Sequence, residues 1–130
     1  MRSHTYFSVP GVAKVRWDEV DQAVLVVWEG WANSTEFSAL LDAEIKALSE
    51  NGCSRLLADC RLQRILNPAD QERANREWIP KAAAAGLKRF AIVLPVSDLA
   101  ASHIRQRTEN SPYEVSYFDE PEKALSWLRS

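Results

Sequence analysis

Glycine is scarce in this chain: four residues of 130, at Gly11, Gly30, Gly52 and Gly86. They are too far apart for a glycine-rich loop that cradles phosphates or a dinucleotide, which gathers its glycines into one short turn. Histidine and cysteine are scarcer still, with two of each. His4, His103, Cys53 and Cys60 do not fall at the short paired spacings of a zinc site, so no metal and no cofactor is expected. No Gly-x-Ser-x-Gly nucleophile elbow occurs. Neither charge sign dominates: 16 basic residues stand against 18 acidic ones, a net charge of -2, so a nucleic-acid partner is not expected. No apolar run approaches the ~20 residues needed to span a bilayer. The opening Met1-Arg2-Ser3-His4-Thr5-Tyr6 has no apolar core of the secretory type. A cytoplasmic protein is the default expectation. No repeat, low-complexity tract or linker interrupts the chain.

What is present is an ordinary globular balance, 46% hydrophobic and 26% charged. The length suits a single domain over 1–130, with the N-terminal ~8 residues read as disordered. A domain of this size builds a core without metal or disulfide staples. Cys53 and Cys60 flank an apolar run that reads as a strand. Seven residues of strand place them about 20 Å apart, beyond the ~7 Å reach of a disulfide. Both are read as free, buried or half-buried thiols.

Hydrophobic periodicity divides the chain into alternating elements. Val12 to Asp18 alternates, with Ala13, Val15 and Trp17 on one face and Lys14 and Arg16 on the other. Ala23 to Trp28 is a continuous apolar run, so the two pair as an antiparallel hairpin. Asn33, followed three residues later by Glu36, predicts a helix start with a capping box. Phe37, Leu40, Leu41, Ile45 and Leu48 supply its apolar face, and Gly52 its end. Arg55 to Asp59 is a third strand. Asn67-Pro68 opens a second helix with Ala74, Trp78 and Ala82 inward, which Pro80 should break or kink near Ile79 and Gly86 should end. Phe90 to Leu94 is a fourth strand, Asp98 to about Thr108 a third helix, and Glu114 to Phe118 a fifth strand. Asp119 and Glu122 form a capping pair for a last helix buried by Ala124, Leu125 and Leu128. The order is ββαβαβαβα: an α/β fold with four helices on one mixed, mostly parallel five-stranded sheet.

This order, with four local motifs, resembles the STAS domain, the fold of sulfate transporters and anti-anti-sigma factors. It looks most like the bacterial STAS-like group described together with CRAL-TRIO lipid-transfer domains. The motifs are Trp28-Glu-Gly-Trp31, Leu56-Leu-Ala-Asp59, Phe90-Ala-Ile-Val93 and the closing Phe118-Asp-Glu-Pro-Glu-Lys-Ala-Leu-Ser-Trp-Leu128. The resemblance spans roughly residues 12 to 129. It implies a small non-enzymatic regulatory or ligand-sensing module. One departure matters. Phosphoregulated STAS domains carry a serine or threonine after the third strand, whereas residues 59 to 68 here contain no hydroxyl side chain. The phosphorylation switch does not carry over, and with it the case for an anti-sigma-factor partner weakens.

Candidate binding residues cluster after that third strand. Open α/β sheets place ligands at the C-terminal ends of their strands, here Asp59 and Cys60. Arg61 and Arg64 precede a helix N-terminus whose free N–H groups favour anions, and two guanidinium groups can clamp a phosphate or carboxylate. Asp59 would orient one of them. The competing reading leaves both arginines solvated or paired with Asp70 and Glu72. Trp31 and Trp78 are the two tryptophans least easily assigned to the core, and they suit a pocket or an interface. The leading expectation is a binding module for a small anionic or lipid-like ligand, or for a protein partner. The alternative is a homodimeric interaction protein using the edge strands Val12–Asp18 and Glu114–Phe118. A third is an enzyme using Cys60 or Asp59. Against it, Leu66 stands where a phosphatase loop needs arginine.

Overall fold

The computed structural model describes residues 3–64 and 67–130. Strands β1 (His4–Val9), β2 (Ala13–Asp18) and β3 (Ala23–Trp28) come first. Then follow α1 (Ser34–Glu50), β4 (Arg55–Asp59), α2 (Pro68–Ala84), β5 (Arg89–Val93), α3 (Asp98–Thr108), β6 (Glu114–Phe118) and α4 (Pro121–Arg129). The six strands lie in one sheet in chain order, β1-β2-β3-β4-β5-β6. The first three are antiparallel and the last four parallel.

The α/β class, the four helices and the mixed sheet are as the sequence predicts, but the sheet has six strands rather than five. The additional strand is β1, within the segment expected to be disordered. It escapes periodicity analysis because its residues are mostly exposed, so no apolar alternation marks it. Its order comes from backbone pairing with β2, in register from His4 opposite Trp17 to Val9 opposite Ala13, with an irregularity between Thr5 and Phe7. Met1 and Arg2 lie outside the described residues. Consequently β2 is not an edge strand; β1 and β6 are.

Neighbouring parallel strands joined in chain order carry their crossover helices to one face of the sheet. Side chains alternate between faces with period two. Val24 and Val26, Leu56 and Ala58, Phe90 and Ile92 point toward α1, α2 and α3 and form the larger core with Phe37, Leu40, Leu48, Ala82 and Ile104. Leu25, Leu57, Ala91 and Val93 point the other way and are covered by Ala124 and Leu128 of α4.

Local chemistry fixes most of the helix ends. The Asn33 side chain accepts from the Glu36 N–H at 2.8 Å, and the Glu36 carboxylate accepts from the Asn33 N–H at 3.1 Å, the expected capping box. Gly52 (φ +54°) and Gly86 (φ +107°) take left-handed conformations after α1 and α2. Two expectations are corrected. Pro80 does not break α2, which runs through it to Ala84. Proline removes one backbone hydrogen bond, and the alanines beyond it are the strongest helix formers, so the helix resumes at once. At α4 the N-cap is Glu120 without a side-chain cap, because Pro121 takes the first helical position. Asp119 instead accepts from Lys123 Nζ at 3.0 Å.

Gly30 is needed for close approach rather than for its torsion angles. A Cβ there would lie 2.5 Å from the Gly11 carbonyl oxygen, a backbone atom that cannot swing aside. Gly30→Ala should therefore cost about 1–3 kcal/mol, the usual cost of overpacking, read as a lower urea midpoint at unchanged slope.

Candidate functional site

Strand alternation separates the residues that the sequence places together. Asp59 continues the row of Leu57 toward α4, whereas Cys60 joins the larger core under α1, α2 and α3. Arg61 folds back onto Asp59, donating Nε to Oδ1 at 2.9 Å and Nη2 to Oδ2 at 2.7 Å, a fork on a buried carboxylate. Arg61 lines a broad recess beside Arg105, Tyr117 and Lys123. Arg64 lines a different one, with Gln71, His103 and Arg107. The two arginines thus do not converge on one anion. Nor do they bond Asp70 or Glu72. Asp70 accepts from Ser34 Oγ at 2.6 Å, and Glu72 faces Arg76 at 3.8 Å.

Trp78 is half-buried. Its Nε1 donates to the Leu41 carbonyl at 3.3 Å, and its ring lies 5.9 Å from that of Phe90. Trp31 is 53% exposed and stands apart, in the loop between β3 and α1. Of the six candidates, the structure brings Cys60 and Trp78 to one place. That place is a cavity of about 70 Å³ between the sheet and the helical layer. Ala58, Cys60, Phe90 and Ile92 form its floor. Phe37 and Leu41 of α1, Ala74, Trp78 and Ile79 of α2, and Ile104 of α3 form its walls. It exists because α2 is a poor lid: in seventeen residues only Ala82 is fully buried.

Two charged residues that sequence reasoning did not single out also face this cavity: Glu44 of α1 and Arg107 of α3. Glu44 is 3% exposed, and its Oε2 is buried with no hydrogen-bond partner among the described residues. Burial pushes its carboxyl up to about 8, against the opposing pull of Arg107. Burial likewise lowers the Arg107 guanidinium, while Cys60 and Glu44 act the other way. The two sense each other's charge, yet no ion pair closes between them. The Tyr113 hydroxyl, near Glu44, is a second buried polar atom without a partner among the described residues.

The missed signal lies in helical spacing. Glu44 sits seven residues after Phe37 and four before Leu48, inside the apolar stripe of α1, where a solvated acid does not belong. Arg107 follows Ile104 by three on α3.

Cys60 is not set up as a nucleophile. Burial pushes its thiol up to about 12, with Arg107 alone among its charged neighbours acting to lower it. The reactive form is the thiolate, which this environment suppresses. Among the described residues no group of three or more His, Cys, Asp or Glu side chains is placed to hold a metal ion, and no helix is long and apolar enough to cross a membrane.

The fold is of the STAS type. One similar solved structure is an uncharacterised protein of the DUF3478 family with a SpoIIAA-like fold from Shewanella loihica PV-4. It has 16% identity and a TM-score of 0.62, over 94% of this chain and 98% of that one. Another is an anti-sigma factor antagonist from Mycobacterium paratuberculosis, with 14% identity and a TM-score of 0.58 over 95% and 100%. No family model matches the chain, and no curated protein does either.

The Glu44 carboxyl fixes a pH dependence. Its folded value, about 8, lies above the ordinary carboxyl range, so the folded state holds a proton that the unfolded chain releases. The stability this one group contributes is full below pH ~4 and falls as pH rises toward 8, by an amount on the order of a few kcal/mol. Glu44→Gln cannot release that proton. The variant should lose markedly less stability between pH 5 and pH 8.5 in urea unfolding than the parent.

Proposed function

We propose that this protein is a non-enzymatic STAS-like binding module whose small ligand occupies the cavity between the sheet and helices α1, α2 and α3. The observation that carries this reading is the cavity's composition: mostly apolar walls, with the buried Glu44 and the half-buried Arg107 on the lining and neither paired among the described residues. Binding sites of this kind are mostly apolar with a few convergent polar groups that set orientation. Burying a carboxyl oxygen without a partner is costly, and a bound molecule that satisfies it recovers that cost. The suppressed Cys60 thiol and the engagement of Asp59 with Arg61 favour binding over catalysis. Native mass spectrometry of the gently purified protein tests the reading. The parent should carry a small added mass, and Ala74→Phe, which fills the cavity from α2, should lose it. A clean apo mass from several expression hosts overturns it.

A second reading, docking of a protein or a second copy, is favoured by a different feature. Large apolar side chains are exposed after successive strand ends: Trp31 after β3, Leu62 after β4, Val96 (96% exposed) after β5, and Leu99 at the start of α3. All therefore belong to the end of the sheet at which the parallel strands finish. A solved structure of similar fold is an anti-sigma factor antagonist, a protein that acts on a protein partner. If the occupant is a second copy, sedimentation should show a dimer in the parent and a monomer in a Trp31→Ser, Leu62→Ser variant. A strict monomer at high concentration removes that version.

A further inference from the structure

We infer that the ligand of this cavity is a small monocarboxylic acid with a compact apolar body, its carboxylate held between Arg107 and Glu44. The inference rests on the cavity being the ligand site and adds the chemical class.

Three observations lead to it. The first is the pairing deficit. Among the described residues the Arg107 guanidinium has no hydrogen bond or ion pair, and the buried Glu44 Oε2 has no hydrogen-bond partner. A guanidinium fork matches the two oxygens of a carboxylate. A neutral carboxyl has one O–H to donate to the same group. One carboxylate thus answers both residues, whereas a cationic or purely apolar occupant leaves Arg107 unmet.

The second is position. Arg107 lines the cavity and also two surface recesses between α2 and α3, one with Gln63, Arg64 and His103 and the other with Asn75 and His103. It stands where the cavity reaches the surface, so an anion can enter by its charged end without crossing the core. The third is size and polarity. A cavity of about 70 Å³ is less than half the ~150 Å³ that holds a benzene ring, suiting an acid of two or three carbons rather than a ring or a long acyl chain. Most of the remaining surface, from Phe37, Trp78, Phe90 and Ile92, is apolar, with Gln63, Asn75 and Thr108 as its other polar side chains. A phosphate or sulfate would leave that surface uncovered.

The proton on Glu44 matters to the mechanism. The groups that face it are Arg107 from α3, Cys60 at the end of β4 and Tyr113 before β6. Cys60 and Tyr113 are neutral at physiological pH because burial raises both, so neither adds negative charge beside the ligand. With Glu44 protonated, the site carries the single positive charge of Arg107. Ionising Glu44 puts a second carboxylate against that of the ligand. Binding is therefore coupled to one proton and weakens as pH rises.

The test uses propionate and its neutral isostere propionamide, titrated calorimetrically into the parent protein, freed of any co-purified ligand, at pH 6.5 and pH 9. Propionate should bind at pH 6.5 at least tenfold more tightly than propionamide and lose at least tenfold at pH 9. The amide should show no pH effect. Arg107→Met should lose the acid preference, and Glu44→Gln should keep it without the pH dependence. If Arg107→Met fails to fold, the comparison of acid and amide on the parent still decides. Equal binding of acid and amide overturns the acid class while leaving the cavity as the ligand site. Binding of neither also overturns it, and the cavity reading is then judged by the co-purified mass alone. A pH dependence that persists in Glu44→Gln overturns the role of Glu44.

Discussion

Side-chain alternation on the two central strands governs the rest of this molecule. Leu56, Ala58, Phe90 and Ile92 are committed to the layer of α1, α2 and α3, and Leu57, Ala91 and Val93 to α4. Slipping either strand by one residue would exchange these sets and turn Asp59 into the core. The same rule divides the end of β4. Consecutive residues there face opposite layers, so an acid and a thiol adjacent in sequence belong to separate environments. Asp59 serves as an anchor for Arg61, and Cys60 as part of an apolar floor.

Much of the architecture was legible in the sequence because the larger core announces itself by period. Helix α1, with its capping box, and the apolar run of β5 are read directly from spacing. Strand β1 was not, because an edge strand held by main-chain pairing carries no side-chain pattern. Proline at position 80 misled in the other direction, since a local penalty was outweighed by strong helix formers after it. The site was read less well. Searching near the end of β4 found the right region, yet the two charged groups of the cavity lie on α1 and α3, far away in sequence. They are visible only as polar residues that interrupt apolar helix faces, a signal easily set aside as noise.

The cavity also concentrates the electrostatic tension of the fold. A buried acid and a half-buried base that line the same space without an ion pair between them are less stable than the same groups in water. Natural cores leave few such groups, and those that remain commonly serve recognition rather than stability. The weak burial of α2 belongs to the same economy. A helix with one fully buried residue in seventeen covers the site without sealing it.

Strand order equal to chain order has a kinetic meaning as well. Every strand pairs with its neighbours in sequence, so the two hairpins close short loops while the three parallel pairings wait on helical crossovers, the slower kind of pairing. The association of α4 with the β2–β3 turn is different: Arg129 Nε donates to Asp21 Oδ1 at 2.8 Å across a separation of 108 residues. Closing so long a loop is entropically demanding until the intervening sheet exists. That contact thus depends on the sheet lying between its two partners, and through it α4 ties the β2–β3 turn to the second core.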